Sequence, residues 1–312
     1  MPCSANPAQV TQWYTSHLRF NGTVLPMIPG AMLSIPENMM FPPIAGNYVN
    51  VNRGQGAQDI AMQFRIVVLE GMLPFLFYSS GGLMQRLLAR TAAAAHDTYS
   101  NTVEFSDGRI VTTLSYAKVE AITVGAVRGD MLRMDVTVVA PCISIAEVES
   151  VSPFTFEGEG AAMTFANVNW LGDLAGSVVN WSVGYQNNHT PDPSLNGAVS
   201  GAIDGFPNAF NAGTATATAQ LAFQASQYGN SLTKYGGLVV DGQGATAVLR
   251  NTLGSNVNLL LGAMVSQDAK SRNNNAPRII HPHQYTIAGG LAGGLIQWSN
   301  ASDNPLLQAV AA

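Results

Sequence analysis

The segment Thr214–Ala225 reads Thr-Ala-Thr-Ala-Thr-Ala-Gln-Leu-Ala-Phe-Gln-Ala, a two-residue alternation. Successive side chains of an extended strand point to opposite faces, whereas a helix needs a period near 3.6. Such a run commits its stretch of chain to a β-strand. Met131–Val139 follows the same rule, with Leu132, Met134, Val136 and Val138 opposed to Met131, Arg133, Asp135 and Thr137. Ser177–Tyr185 sets Val179, Trp181 and Val183 on one face, and Ile60–Val68 sets Ile60, Met62, Phe64 and Ile66 against Gln63 and Arg65.

These strands imply hairpins. Val103–Phe105 leads into Asp107-Gly108, a turn dipeptide, and Arg109–Leu114 returns as a strand. Ala117–Val127 runs through Arg128-Gly-Asp130 into Met131–Val139, the clearest hairpin of the first half. Leu83–Ala95 is the exception, because its Leu, Met, Gln, Arg and Ala are strong helix formers. A shorter helical piece is expected near Ser226–Tyr235.

A chain of 312 residues suggests two domains at about 100–200 residues each. Pro141–Pro153 reads as a joint, and the β pattern restarts at Phe154. The expected domains are 1–150 and 151–312. The halves also overlay: Asn52-Arg53 and the glycines after it feed the strand ending at Phe64, as Asn211-Ala-Gly213 feeds the strand ending at Phe223. Each is a glycine-containing loop leading to a strand with an aromatic at its far end, as expected of two copies of one β-rich domain.

Charge narrows the function. Asp, Glu, Lys and Arg make up only 11% of the chain, which is net −5 and holds three lysines, Lys118, Lys234 and Lys270. A protein that grips nucleic acid through its phosphates needs clustered Lys and Arg. Disordered chains are rich in charge and poor in apolar residues, whereas this one is 47% hydrophobic. Its polar surface must come from Asn, Gln, Ser and Thr, which suits surfaces covered by other subunits, since unpaired charges are costly to desolvate. No basic start followed by an apolar run appears at the N-terminus, so no targeting segment is expected. No window reaches the roughly 20 apolar residues of a spanning helix. Cys3 and Cys142 are too few for a disulfide framework, which fits synthesis in a reducing cytoplasm.

Candidate chemistry is thin. His281-Pro-His283 is the only close histidine pair, and its flanks supply no carboxylate or cysteine, so no metal site is expected. Glu157-Gly-Glu159 could share a strand face, but its glycines read as a charged loop or rim. Gly54-Gln-Gly56 and Gly158-Glu-Gly160 lack the following Gly-Lys-Ser/Thr of a phosphate loop. No nucleophile with a base can be assembled. No catalytic residue and no cofactor are expected, and the chain reads as a non-enzyme. Trp13 and Tyr14 read as anchors of an N-terminal arm against a neighbour.

The pattern Val178–Tyr185, the loop through Gly205-Phe-Pro-Asn-Ala-Phe-Asn-Ala-Gly213 and the strand Thr214–Ala225, echoed by Gly30–Ile35, Asn52–Gly56 and Ile60–Val68, resembles the tail tube proteins of long-tailed bacteriophages. The resemblance covers most of the chain and rests on no invariant motif. It implies a mainly β chain: two tandem β-sandwich or barrel domains, each with a flanking helix. It implies rings, trimeric and pseudo-hexameric for a fused pair or hexameric otherwise, stacked into a hollow virion tail tube after assembly in the host cytoplasm. Partners would be copies of the chain, with tape measure, tail terminator and baseplate proteins. DNA would pass the lumen without specific binding, and no membrane would be involved. On this reading Glu104, Asp107, Glu120, Asp130, Asp135, Glu157 and Glu159 are candidates to face the lumen, where like charge repels phosphates. Ala117–Val139 is expected as the inner strand pair. The loops Ile35–Gly56 and Gln186–Gly213 are expected between rings, and Trp13, Tyr14, Asn52, Arg53, Asn187, Asn188, Phe206 and Phe210 between subunits. Three rival readings remain. One is another virion component (capsid, decoration or baseplate). A second is a β-rich enzyme or carbohydrate-binding module, with Trp170, Trp181 and Tyr185 as a sugar platform. The third is a membrane barrel, which should carry many strands of about 10 residues and a signal peptide.

Overall fold

The computed structural model describes residues 17–34, 39–40, 54–55, 60–68, 84–86, 101–106, 110–127, 130–147, 164–169, 178–192, 210–211, 213–214, 216–224, 245–250, 256–261, 263–266, 280–289 and 296–300, and every regular element among them is a strand. In chain order these are β1 (His17–Phe20), β2 (Thr23–Leu25), β3 (Met27–Ser34), β4 (Met39–Met40), β5 (Gly54–Gln55), β6 (Ile60–Val67) and β7 (Met84–Arg86). Next come β8 (Asn101–Ser106), β9 (Ile110–Val127), β10 (Arg133–Ala140), β11 (Cys142–Glu147), β12 (Thr164–Asn169), β13 (Val178–Gln186) and β14 (Thr190–Pro191). The last are β15 (Phe210–Asn211), β16 (Thr216–Gln224), β17 (Ala245–Arg250), β18 (Asn256–Leu261), β19 (Ala263–Ser266), β20 (Ile280–Gly289) and β21 (Ile296–Asn300).

The alternating runs singled out in the sequence become neighbours. The main path of a 12-stranded sheet runs β19-β20-β16-β13-β9-β10-β6-β3, antiparallel throughout. The hairpin expected over Ala117–Val139 is present as β9–β10. Strands from both sides of residue 150 meet in this sheet, because β13 pairs directly with β9. A separate five-stranded sheet orders β12-β17-β18-β21-β7.

β9 is the spine. Its first half pairs with β8 and β11, which with β1 and β2 form a smaller wing, and its second half pairs with β10 and β13. Side chains of a straight strand would keep one parity of burial, but β9 does not. Thr112 and Leu114 are buried, then Ala117 and Val119, then Ile122 and Val124. Each change of parity marks an irregularity. At Tyr116 the backbone takes φ 56°, and the register against β8 slips between Asn101 and Val103. At Glu120 an extra residue sits between the pairs Thr137↔Ala121 and Val138↔Val119. A bulge inserts one residue and re-aims the strand, so the two irregularities keep β9 facing the core as the ladder bends.

The core forms rows across the strands. Ile66, Met134, Val124, Val183, Ala219 and Tyr285 are successive cross-strand neighbours, all buried. Small Ala217 and Ala219 lie beside Tyr185 and Tyr285, so the alternating alanines of β16 leave room for the rings. A fully buried large apolar side chain contributes about 1.5–3 kcal/mol. In the smaller wing, Phe20, Val103 and Leu114 form a similar fully buried row.

Two sequence expectations need correction. Met84–Arg86, inside the expected helix Leu83–Ala95, is a strand paired in parallel with β21. Helix propensity is a weak prior that strand pairing overrides. The remainder of that segment, and Ser226–Tyr235, lie outside the described residues. Within the expected joint Pro141–Pro153, Cys142–Glu147 forms β11, which extends the β9–β10 hairpin past Pro141 onto the first half of β9.

Candidate functional site

Two places on the central sheet gather the candidate residues. The first is its polar face. Arg65, Asp135, Thr123, Gly184, Thr218 and Thr286 form one cross-strand row, and Arg133, Gly125, Ser182, Gln220 and Gln284 form the next. The face is built from hydroxyls, amides and glycines. Two ion pairs supply its charge. Arg65 donates through Nε and, at 3.0 Å, Nη2 to the two carboxylate oxygens of Asp135, directly opposite on β10. Arg133 Nη2 donates to Asp130 Oδ2 at 2.8 Å, and the Asp130 Oδ1 accepts the Met131 N–H, also at 2.8 Å. Hydrogen bonding to Asp135, with its nearby negative charge, pushes the Arg65 pKa further above its already basic value. Between these pairs and Asn180 and Gln220 runs a groove of about 320 Å³, floored by Thr123 and Gly125. A Cβ at Gly125 would come within 3.0 Å of the Trp181 carbonyl oxygen, so the missing side chain helps hollow the groove.

The second place is the end of β13, where the chain leaves the sheet beside the Glu120 bulge. The Asn187 N–H donates to the Glu120 carbonyl at 2.8 Å, and Asn187 Nδ2 donates to the Val119 carbonyl at 2.7 Å. The Tyr185 hydroxyl donates to Asn187 Oδ1 at 2.6 Å. One residue pair on, the His189 N–H donates to Glu120 Oε2 at 3.0 Å, and His189 Nδ1 lies 2.7 Å from the same oxygen. The His189 side chain is fully buried, and Glu120 is 17% exposed. Burial pushes the Glu120 carboxyl up, but hydrogen bonds from His189 and Gln186 and the attraction of His189 outweigh it. The net pKa lies below the ordinary carboxylate value. An ionised carboxylate only accepts, so the His189 ring presents Nδ1–H to it. Desolvation pushes the Tyr185 phenol well above its usual value, keeping it neutral as a donor.

Asn188 takes φ 52°, and its Nδ2 donates to the Thr214 carbonyl at 2.7 Å. Asparagine tolerates this left-handed conformation better than most residues. Gly213 packs so close that a Cβ there would sit 1.9 Å from the Asn188 carbonyl oxygen. Just beyond, β14 and β15 pair through Thr190↔Asn211 and Pro191↔Phe210, with Phe210 buried. The ends of the expected loop Gln186–Gly213 are therefore tied together and clamped to the bulge of β9.

The structure thus brings Asp130 and Asp135 to the groove, and Glu120, Asn187 and Asn188 to the loop base, with Phe210 beside it. Glu104 stands apart in the wing, paired with Arg19 at 3.2 Å across β1–β8. Each described lumen candidate (Glu104, Glu120, Asp130 and Asp135) has a basic or imidazole partner. Asp107, Glu157, Glu159, Trp13, Tyr14, Asn52, Arg53 and Phe206 lie outside the described residues. Trp181 and Tyr185, offered as a sugar platform, are 2% and 3% exposed. Sequence reading missed His189, whose partner Glu120 is 69 positions away. Among the described residues no group of three or more His, Cys, Asp or Glu could hold a metal ion, and no helix is long and apolar enough to cross a membrane. Comparison with known proteins finds no matching family model and no matching curated sequence.

Proposed function

We propose that this chain is a self-assembling structural subunit of a long-tailed phage tail, stacking as rings into a hollow tube through which DNA passes. Its halves act as two tandem tail-tube-like domains in a trimeric, pseudo-hexameric ring, and its assembly partners are other tail proteins. The resemblance noted in the sequence supports this reading, and one structural observation carries it. A broad antiparallel face presents Thr, Ser, Gln, Asn and Gly, with its arginines and aspartates matched pair for pair. A wall that must let a polyanion slide needs to avoid unneutralised cations, which would hold phosphates by releasing counterions. On the charge-balanced wall, Arg65 and Arg133 already have their carboxylates. This refines the expected anionic bore: on this face Asp130 and Asp135 work by occupying arginines.

The clamped loop base fits the same reading, since a loop reaching to the next ring transmits position only if its root is fixed. Negative-stain microscopy of the concentrated full chain tests the proposal. Tubes or stacked rings are expected. Icosahedral shells would favour the runner-up, another virion structural component, and dispersed single subunits would reject both.

A further inference from the structure

The smaller wing ends in a strand whose exposure its neighbours do not share. On β11, Ser144, Ile145, Ala146 and Glu147 are all exposed, although they alternate between two faces. Its register places Ile143 opposite Leu114 and Ile145 opposite Thr112. Leu114 and Thr112 are buried. Ile143 and Ile145 therefore continue the dry face of the wing onto β11, where Ile145 emerges 61% exposed. The apolar row runs past its own cover.

Sheet edges invite pairing with other chains unless something blocks it, such as shortness, proline, a bulge or a lysine. The other described edges of this sheet carry such devices. β2 has three residues and is followed by Pro26. β3 holds Pro29, and its register breaks between Ile28 and Met32. β19 has four residues and a register break after Ala263. β11 has six residues, an unbroken register, and no proline or lysine. Among the described strands only β9 pairs with it.

The sequence of β11 matches itself. Laid antiparallel on a second copy with Ser144 opposite Ser144, it sets Ile143 against Ile145 twice, on the dry face. Cys142 then falls opposite Ala146 on the other face. Its one charge, Glu147, falls opposite Pro141, so the two carboxylates lie at opposite ends of the ribbon. Cross-strand apolar pairs stabilise a sheet, whereas like charges directly opposite destabilise it. A two-fold contact of this kind uses the same patch on both subunits. We propose that β11 is a docking edge for a second copy of this chain, joined antiparallel through Cys142–Glu147 about Ser144. The pair does not rest on the tube reading: it is two-fold, whereas stacked rings are head-to-tail, so it belongs to the free subunit.

The test uses the full chain with Cys3→Ala and Cys142→Ala. Ser144→Cys then places the two sulfurs on facing positions, within disulfide reach. Mild oxidation of the purified protein should convert it to a disulfide-linked dimer of twice 32.8 kDa. Gln63→Cys, exposed on the other part of the sheet, should not link in the same time. Adding Ile145→Lys to Ser144→Cys should abolish the linkage and leave a monomer by light scattering, with an unchanged β-sheet circular dichroism spectrum. Linkage no faster than in the Gln63→Cys control overturns the proposal. So does a dimer that forms equally well with Ile145→Lys, which would place the contact on another surface. Tubes in the microscope are a separate readout, so either proposal can fail alone.

Discussion

Asp135 and Glu120 are both carboxylates on the central sheet, both marked by the sequence as lumen candidates, and the structure puts them to different uses. Asp135 lies in the open groove against Arg65, each side chain about half exposed. Glu120 lies under the base of a loop against a fully buried imidazole. In water an ion pair gains little, because solvent screens it and two long side chains must be ordered. Under the loop a carboxylate is the acceptor for a backbone N–H and for the ring N–H of a fully buried side chain. Residue type alone does not set the worth of a charge: one pair tunes a surface, the other fixes a backbone.

That contrast can be broken by mutation. Glu120→Ala should destabilise the fold by about 2–3 kcal/mol in urea titration, because it removes the acceptor of the buried His189 ring and of its backbone N–H. A loss below that of an exposed pair would put water at the loop base. Gly213→Ala should cost about 1–3 kcal/mol, since its Cβ must push the Asn188 backbone aside. Unchanged stability would show that the loop end relaxes freely. Asp135→Asn should cost less than about 1 kcal/mol, and addition of salt should shrink the effect.

The pH dependence sharpens the same comparison. The Glu120 pKa is depressed in the folded chain, so the carboxylate contributes its full stability above the ordinary value of 4.5 and loses it as the pH falls through the lower, folded value. The stability difference between the native chain and Glu120→Gln should therefore be largest near neutrality and narrow under acid. A difference that stays constant down the acid limb would show that Glu120 titrates as it does in the unfolded chain.

Period-two strands were legible because burial on one face writes itself into alternate residues, as in Ile60–Val68 and Met131–Val139. The Asn21-Gly22 turn went unread although its dipeptide signals a hairpin: both residues take positive φ and close β1 onto β2. Met84–Arg86 misled because its residues favour a helix, and its strand partner lies more than 200 positions away. β11 was hidden behind Pro141, which reads as a break although the strand pairing resumes at once. The clamp at the loop base was not readable at all. It depends on a bulge at Glu120 and on contacts to a distant loop, and neither leaves a local pattern. The chemistry of the polar face was half legible: alternation predicted which residues face outward, but not that the charges would neutralise one another.

The central claim is that the face bearing Arg65, Asp135, Thr123, Gly184 and Thr218 looks onto a bore. A cryo-electron microscopy map of assembled particles measures this directly. The account predicts a ring whose inner wall is that face, with Arg65 and Arg133 still held by their aspartates. A map with this face turned outward to solvent, or with those arginines swung free into the channel, would contradict it.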